Sequence, residues 1–448
     1  MNEYSNSINQ LEPVSLKRIR TQTAIELCLL LIYTTLLERV MIPMYVNIWG
    51  YMLGGIYVKY NVCKTIISYA IVVFLYLIFA LNGRRRIIYD YTYKMLLYMS
   101  IAPTIAMYSV IDNIHFNQCI CPLVYYFVFT LLINKASVSN TRSTVVFKKI
   151  RNLDLGVLII AFVFAVFLWS YLGFPITLSL TETFDQRMTM RTIELPSFVT
   201  YIYLMLGNVV VPYIFAKSFM NRKRIMAVVS LITGLLLFFS NGMKTWLLLY
   251  VIGVGIFIYY RLFKGNYNKI IIALEISFSA IIVLSLIALK LGSNILLGQL
   301  GRILVIPLRI GYKSIEFFSQ TEHELLFLRE SILKYFFESP YPGGSDFYMD
   351  YGTNTTLTSA RANNGLWGDA FRNFGFAGML IYPFLYIYII KTVIISMEKQ
   401  SDSVKLFIII LLIWSSINIS FFTWLITGGV FFLIVILKTE EFSELNRI

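Results

Sequence analysis

The residues best suited to chemistry lie between Gly301 and Gly378. The stretch closes on Ala362-Asn363-Asn364-Gly365-Leu366-Trp367-Gly368-Asp369-Ala370-Phe371-Arg372-Asn373-Phe374-Gly375-Phe376-Ala377-Gly378 and then runs into an apolar segment. Small residues, carboxamides, one carboxylate and one guanidinium are thus crowded against what should be a membrane boundary. Asp369 is suited to accept a proton from a hydroxyl nucleophile. Its competing role is an N-cap for the helix that follows. Upstream, if residues 301–318 form one helix, a rotation of about 100° per residue puts Arg302, Arg309, Lys313 and Glu316 on one face. Such a stripe either grips a phosphate, because Arg offers a rigid bidentate fork, or is the solvated face of an interfacial helix. Pro307 should kink that helix or mark its first turn. Arg187 and Arg191, at i and i+4, repeat the cationic device on another segment. Lys244 ends the turn Ser240–Lys244, where snorkelling explains it as well as ligand binding does. Thr321-Glu322-His323-Glu324 reads as a capping box, which makes His323 a cap residue rather than a base. Asp346 and Asp350 are either bases or solvated loop carboxylates.

The elements that must position these groups are membrane helices. Of 448 residues, 58% are hydrophobic, 16% aromatic and only 14% charged, with mean hydropathy +0.71. Soluble domains carry roughly 25% charged residues, and many apolar runs here approach the ~20 residues that cross a bilayer. The fold class expected is an all-α polytopic membrane protein. A net charge of +14 does not call for nucleic acid, because the basic residues sit in short clusters between apolar runs. Cys28, Cys63, Cys119 and Cys121 have no metal-ligand spacing and read as small buried hydrophobes. No metal or cofactor is called for. Walker, nucleophile-elbow and HExxH signatures are absent, which excludes a nucleotide-driven pump.

Apolar segments are expected at about 24–37, 65–81, 94–111, 119–133, 155–173, 198–216, 225–239, 245–260, 270–289, 374–390, 404–422 and 424–437. Residues 1–22 then form a cytoplasmic segment, 23–289 spans one to nine, 290–373 one long outer-face loop, 374–437 spans ten to twelve, and 438–448 a cytoplasmic tail. Of the 38 Lys and Arg, 24 fall on the side that holds both termini, so the positive-inside rule puts the termini in the cytoplasm. The long loop, the segment with Arg187 and Arg191, and the Lys244 turn share the outer face. The residues from 225 to 260 should form a tight helical hairpin.

The segment from Ala362 to Gly378 resembles the end of the large periplasmic loop of bacterial O-antigen polymerases, the Wzy-type oligosaccharide repeat-unit polymerases. Those proteins commonly read Ala-Asn-x-Gly, Gly-Asp, Asn-x-Gly and a further Gly, matched here by Ala362, Asn363, Gly365, Gly368, Asp369, Asn373, Gly375 and Gly378. Arg302, Pro307, Tyr312, Phe317 and Phe318 are similar to the family's upstream pattern, and Asn241-Gly242-Met243-Lys244 to its small-residue turn. These motifs cover about a fifth of the chain. Some members carry an Arg with Gly eleven positions on in two outer loops. Phe198, Ile202, Lys313 and Gln320 stand eleven on from Arg187, Arg191, Arg302 and Arg309, so those loop details do not transfer.

The resemblance implies a GT-C-like glycosyltransferase of the bacterial inner membrane. It would polymerise undecaprenyl-diphosphate-linked oligosaccharide repeat units into O-antigen or capsule, with membrane lipid around it and the pathway's flippase and chain-length regulator as possible partners. Arg187, Arg191, Lys244, Arg302, Arg309, Asn363, Arg372 and Asn373 would hold diphosphate or glycan, without a metal. Asp369, then Glu316, would take the acceptor's proton. The alternatives are an O-antigen ligase, for which His323 stands too early in the loop, and a flippase, for which the spans look too poor in charge. The topology has a direct test. Cysteines placed at Asn266 and Thr353 should react with an impermeant thiol reagent from opposite sides of the membrane; reaction of both from one side would remove the twelve-span arrangement.

Overall fold

A computed structural model describes residues 16–50, 57–81, 86–138, 150, 152–176, 180–193, 195–320 and 365–439. No strand occurs among the described residues; an isolated antiparallel bridge joins Val58 to Ile111. Helix α1 (Leu16–Leu36) passes through a π-turn, π1 (Leu37–Met41), into α2 (Ile42–Trp49). Helix α3 (Val62–Ala80) follows, then α4 (Ile87–Leu96), π2 (Leu97–Ile101) and α5 (Ala102–Val110) in one rod. Next come α6 (Phe116–Val138), α7 (Leu153–Leu172) and the polar α8 (Leu180–Thr192). A further rod is α9 (Ser197–Met205), π3 (Leu206–Val210) and α10 (Val211–Met220). The expected hairpin is α11 (Arg224–Phe239) with α12 (Lys244–Leu262), followed by α13 (Tyr267–Lys290), α14 (Ile295–Leu304) and α15 (Ile306–Phe318). The chain closes with α16 (Leu366–Ser396), α17 (Asp402–Asn418), α18 (Phe421–Leu425) and α19 (Val430–Thr439).

Each π-turn has a local cause in the sequence. Pro43, Pro103 and Pro212 stand in the first turns of α2, α5 and α10, directly after π1, π2 and π3. A proline ring collides with the carbonyl four residues back. Those residues are Arg39, Met99 and Asn208, the middle of each π-turn. The wider turn moves the carbonyl aside and lets the rod continue.

Among the described residues, eight helices are long and apolar enough to cross a membrane, or nine if the bent pair α14–α15 counts as one. The outward face of α7 shows what covers them. Ile160 is 71% and Phe167 67% exposed on it, a side that water would not leave bare. The expected apolar segments are helical for most of their length, but 374–390 is interrupted at Gly375, 404–422 at Ile419–Ser420 and 424–437 at 426–429. The expectation of nearly uncharged spans fails: buried charges lie both inside the apolar runs (Glu26, Lys94, Glu275) and in the helix just beyond them (Glu38, Asp154, Lys217). Lys94 on α4 lies buried at 2.7 Å from Glu26 on α1 and 2.9 Å from Asp90. Lys217 on α10 lies buried at 2.6 Å from Asp154 on α7. Glu38 and Glu275 are buried as well.

The region expected as one long loop is helical at both described ends. Residues 301–318 are not a single helix: the rod breaks at Val305 and α14 and α15 meet at a bend of 40°. Pro307 occupies the first turn of α15, where its missing N–H costs nothing. At the other end, Gly375 interrupts α16 with φ 57° and ψ −141°, a region open only to glycine. Residues 366–374 therefore form a short buried helix that doubles back on the rest. Gly378 lies so close to the Ala370 carbonyl that a Cβ would collide with it. The remaining run, 376–396, is about 31 Å long at 1.5 Å per residue, one hydrocarbon thickness. Gly378→Ala should therefore lower stability by about 1–3 kcal/mol through overpacking. Gly255→Ala, with no atom near its Cβ position, should be neutral or raise stability by up to about 1 kcal/mol. Thermal unfolding in detergent micelles compares them, and equal melting temperatures would exclude the doubled-back helix.

Candidate functional site

The structure sorts the cations near these helix ends into structural and clustered ones. Lys64 closes the end of α5 by donating to the carbonyls of Ile111 (3.1 Å), Asp112 (3.3 Å) and Ile114 (2.7 Å). Lys59 pairs with Asp112 at 3.5 Å, and Arg39 stacks 4.6 Å over the Tyr60 ring. Arg187, Lys244 and Arg302 instead converge from α8, α12 and α14: the like charges of Arg302 and Arg187 fall within Coulombic range of Lys244.

Three local devices bring them together. The turn before Lys244 is held by Asn241, whose Nδ2 donates to the Tyr203 hydroxyl, and by Trp246, whose Nε1 donates to Asn208 Oδ1 at 2.8 Å. Gly242 (φ 69°) sits under α8 against the Thr183 carbonyl, with Arg187 Cβ 3.5 Å from where its own Cβ would be. That packing seats Arg187 beside Lys244. Helix α14 docks through Gly298 on Trp49 and Gly301 on the Tyr45 ring, and exposed Arg302 follows, its charge reaching Tyr45. The convergence could not be read from helical spacing, since it joins three elements.

Asp369, Arg372 and Asn373 make a second, buried grouping. Asp369 is 1% exposed. Its Oδ1 accepts from Arg372 Nη2 (2.9 Å) and Asn373 Nδ2 (3.1 Å), and its Oδ2 accepts from the Phe421 backbone N–H (2.9 Å). Asn373 Nδ2 also reaches the Asp369 carbonyl (2.8 Å) and the Tyr382 hydroxyl (3.0 Å). The cap expected of Asp369 exists, but on a different helix: the N-cap of α16 is Gly365, while Asp369 serves the first N–H of α18. Around this knot, Ser314 donates to the Gly368 carbonyl at 3.1 Å. Trp367 packs edge-on against Tyr312 at 5.0 Å, over Gly311.

The other expected groups lie elsewhere. Arg309 is buried on α15 at 5% exposure, separate from Arg302. Glu316 is exposed and lines a polar cleft of about 500 Å³ with Asp112, Asn113, His115, Gln118, Ser319 and Gln320. The sequence reasoning missed this cleft; the polar run Asp112–Gln118 between two apolar segments was the available signal. Arg191 lies on α8, and Asn363, His323, Asp346 and Asp350 fall outside the described residues. Among the described residues, no cluster of three metal-ligating side chains occurs.

This geometry changes what Asp369→Asn should do. One amide cannot accept from both Arg372 and Phe421, and its NH2 would face one of these donors. Breaking a buried, hydrogen-bonded charge pair from one side costs about 3–5 kcal/mol. The variant should therefore show a lower melting temperature and reduced protein in the membrane. A variant with wild-type stability and no activity would instead mark Asp369 as a base with no structural task.

Comparison of the chain with known protein families, with curated proteins and with solved structures finds no match in any of the three.

Proposed function

We propose that the chain is an integral membrane glycosyltransferase that polymerises undecaprenyl-diphosphate-linked oligosaccharide repeat units, with twelve spans, a GT-C-like helical plan and both termini in the cytoplasm. The observation that carries this reading is the convergence of Arg187, Lys244 and Arg302 from three elements. Cations brought together from three separate elements suit a doubly charged anion such as a diphosphate. Tyr45, Tyr203 and Trp246, all buried, back the cluster from inside the bundle.

In the transfer, an acceptor sugar hydroxyl attacks the anomeric carbon of the donor. The bond from that carbon to the carrier diphosphate breaks, and its electron pair leaves on the diphosphate. The three cations stabilise that charge as it develops. The hydroxyl proton goes to a carboxylate. Asp369 already accepts three hydrogen bonds, so its part is to hold the doubled-back helix in position. Glu316, exposed among carboxamides in the polar cleft, has the accessibility that a base requires.

A second reading is favoured by the ionisable groups buried inside the helices, namely Glu26 with Lys94, Asp154 with Lys217, Glu38 and Glu275. Such groups mark transport paths, and a carrier for lipid-linked glycan would use them. Purified protein in detergent micelles separates the two, since micelles have no second compartment. A polymerase should lengthen a lipid-linked repeat unit there, whereas a carrier leaves it unchanged. In the same assay Arg187→Ala, Lys244→Ala and Arg302→Ala should each reduce polymer by about 10²-fold or more with protein level intact. Arg302→Lys should recover little, because it lacks the bidentate fork. Near-normal polymer in all three alanine variants would assign the cluster to surface solvation.

A further inference from the structure

The turn between α5 and α6 is polar, and it is held in one shape. Lys64 on α3 donates to the carbonyls of Ile111, Asp112 and Ile114, and the Ile114 side chain is buried. The His115 backbone N–H donates to Gln118 Oε1 at 2.8 Å, so the two donors of the Gln118 NH2 remain for a ligand. Helix α15 ends at the same place, where the Ser319 hydroxyl donates to the Glu316 carbonyl at 3.0 Å. The cleft between the two helix ends is about 500 Å³, within the roughly 300–1,000 Å³ of small-molecule sites. Walls fixed before a ligand arrives lose little freedom when it binds.

Its lining decides what that ligand is. Two carboxylates line it, Asp112 and Glu316, and no Lys or Arg does, so a phosphate or a uronate would be repelled. Asp112 is already engaged by Lys59 at 3.5 Å. A metal ion has no set of three ligands among the described residues, and an apolar guest would find no aliphatic wall. The carboxamides of Asn113, Gln118 and Gln320 donate and accept at once, and a carboxylate accepts from two neighbouring hydroxyls. That is the hydrogen-bonding pattern of a sugar. Phe116, adjoining His115, is 46% exposed and offers a ring for the apolar face of a pyranose.

We propose that this cleft binds a short neutral saccharide and excludes acidic sugars. Its role rests on the polymerase reading: the bound saccharide is the acceptor end of the glycan, and its hydroxyl is then beside Glu316. The binding itself needs neither lipid nor diphosphate.

The probe is a panel of neutral disaccharides of glucose, galactose, mannose, rhamnose and N-acetylglucosamine. It is offered to the full chain in lauryldimethylamine oxide micelles, which carry no sugar headgroup. Saturation-transfer NMR should show transfer to at least one member and none to its uronic acid counterpart. Excess pyrophosphate should leave that transfer unchanged, which separates the cleft from the cluster of Arg187, Lys244 and Arg302. Asn113→Ala and Gln320→Ala, both at exposed positions, should keep the melting temperature and each weaken binding about three- to tenfold, the loss of one hydrogen bond. No transfer to any member of the panel would overturn the proposal, as would equal binding of the acidic counterpart. Displacement by putrescine would make the cleft an amine site, and unweakened binding in both variants would place the saccharide elsewhere; either result overturns it. Saccharide binding by a chain that forms no polymer would keep the cleft and remove the acceptor role. Normal polymer from both variants would keep the polymerase and remove the cleft.

Discussion

The end of the bundle where α15, α16 and α18 meet depends on one hydrogen bond, from the Phe421 backbone N–H to Asp369. The chain breaks between α17 and α18 at Ile419–Ser420, and the first donors of a restarted helix have no partner of their own. Inside a bilayer such a donor cannot turn to water. Asp369 answers it from 52 residues away and itself accepts hydrogen bonds from Arg372 and Asn373. The arrangement is reciprocal, since the carboxylate would be untenable without these donors and the donors would be unmet without it. Through Ser314 and Trp367 the same knot fixes α15, and through α15 the bend that aims α14 toward Lys244.

How much of this was legible in the sequence follows the range of each interaction. Helix existence was legible, because a long apolar run in a bilayer has only one backbone solution; the breaks at Gly375, at Ile419–Ser420 and at 426–429 were not. The hairpin of α11 and α12 was legible from a five-residue polar interruption, Ser240–Lys244. Helix length was not, because Glu38, Asp154 and Lys217 stand just past the apolar runs and read as their flanks until their burial is seen. The stripe on residues 301–318 assumed an unbroken helix, and the break at Val305 sends Arg302 and Arg309 to different surroundings. For the glycines of the Ala362–Gly378 motif the sequence showed only crowding. The fold gives Gly375 the task of reversing the chain and Gly378 that of admitting the Ala370 carbonyl.

The candidate site divides along the same line. Arg187, Lys244 and Arg302 were each noticed separately, and none could be tied to the others by counting residues. Their meeting rests on close approaches at Gly242 and Gly301, where the absence of a side chain is the information. Asp369 was singled out as an unusual carboxylate, and its surroundings fit a fastener better than a reagent.

The π-turns of the three bent rods bear on how this chain should be compared with others. Each such turn holds one residue more than α-helical winding needs, directly before Pro43, Pro103 or Pro212. An alignment that treats length differences as loop events will misplace everything beyond these points by one position. A one-residue gap ahead of a proline, in the middle of an apolar run, is the signature to permit when distant relatives of this chain are sought.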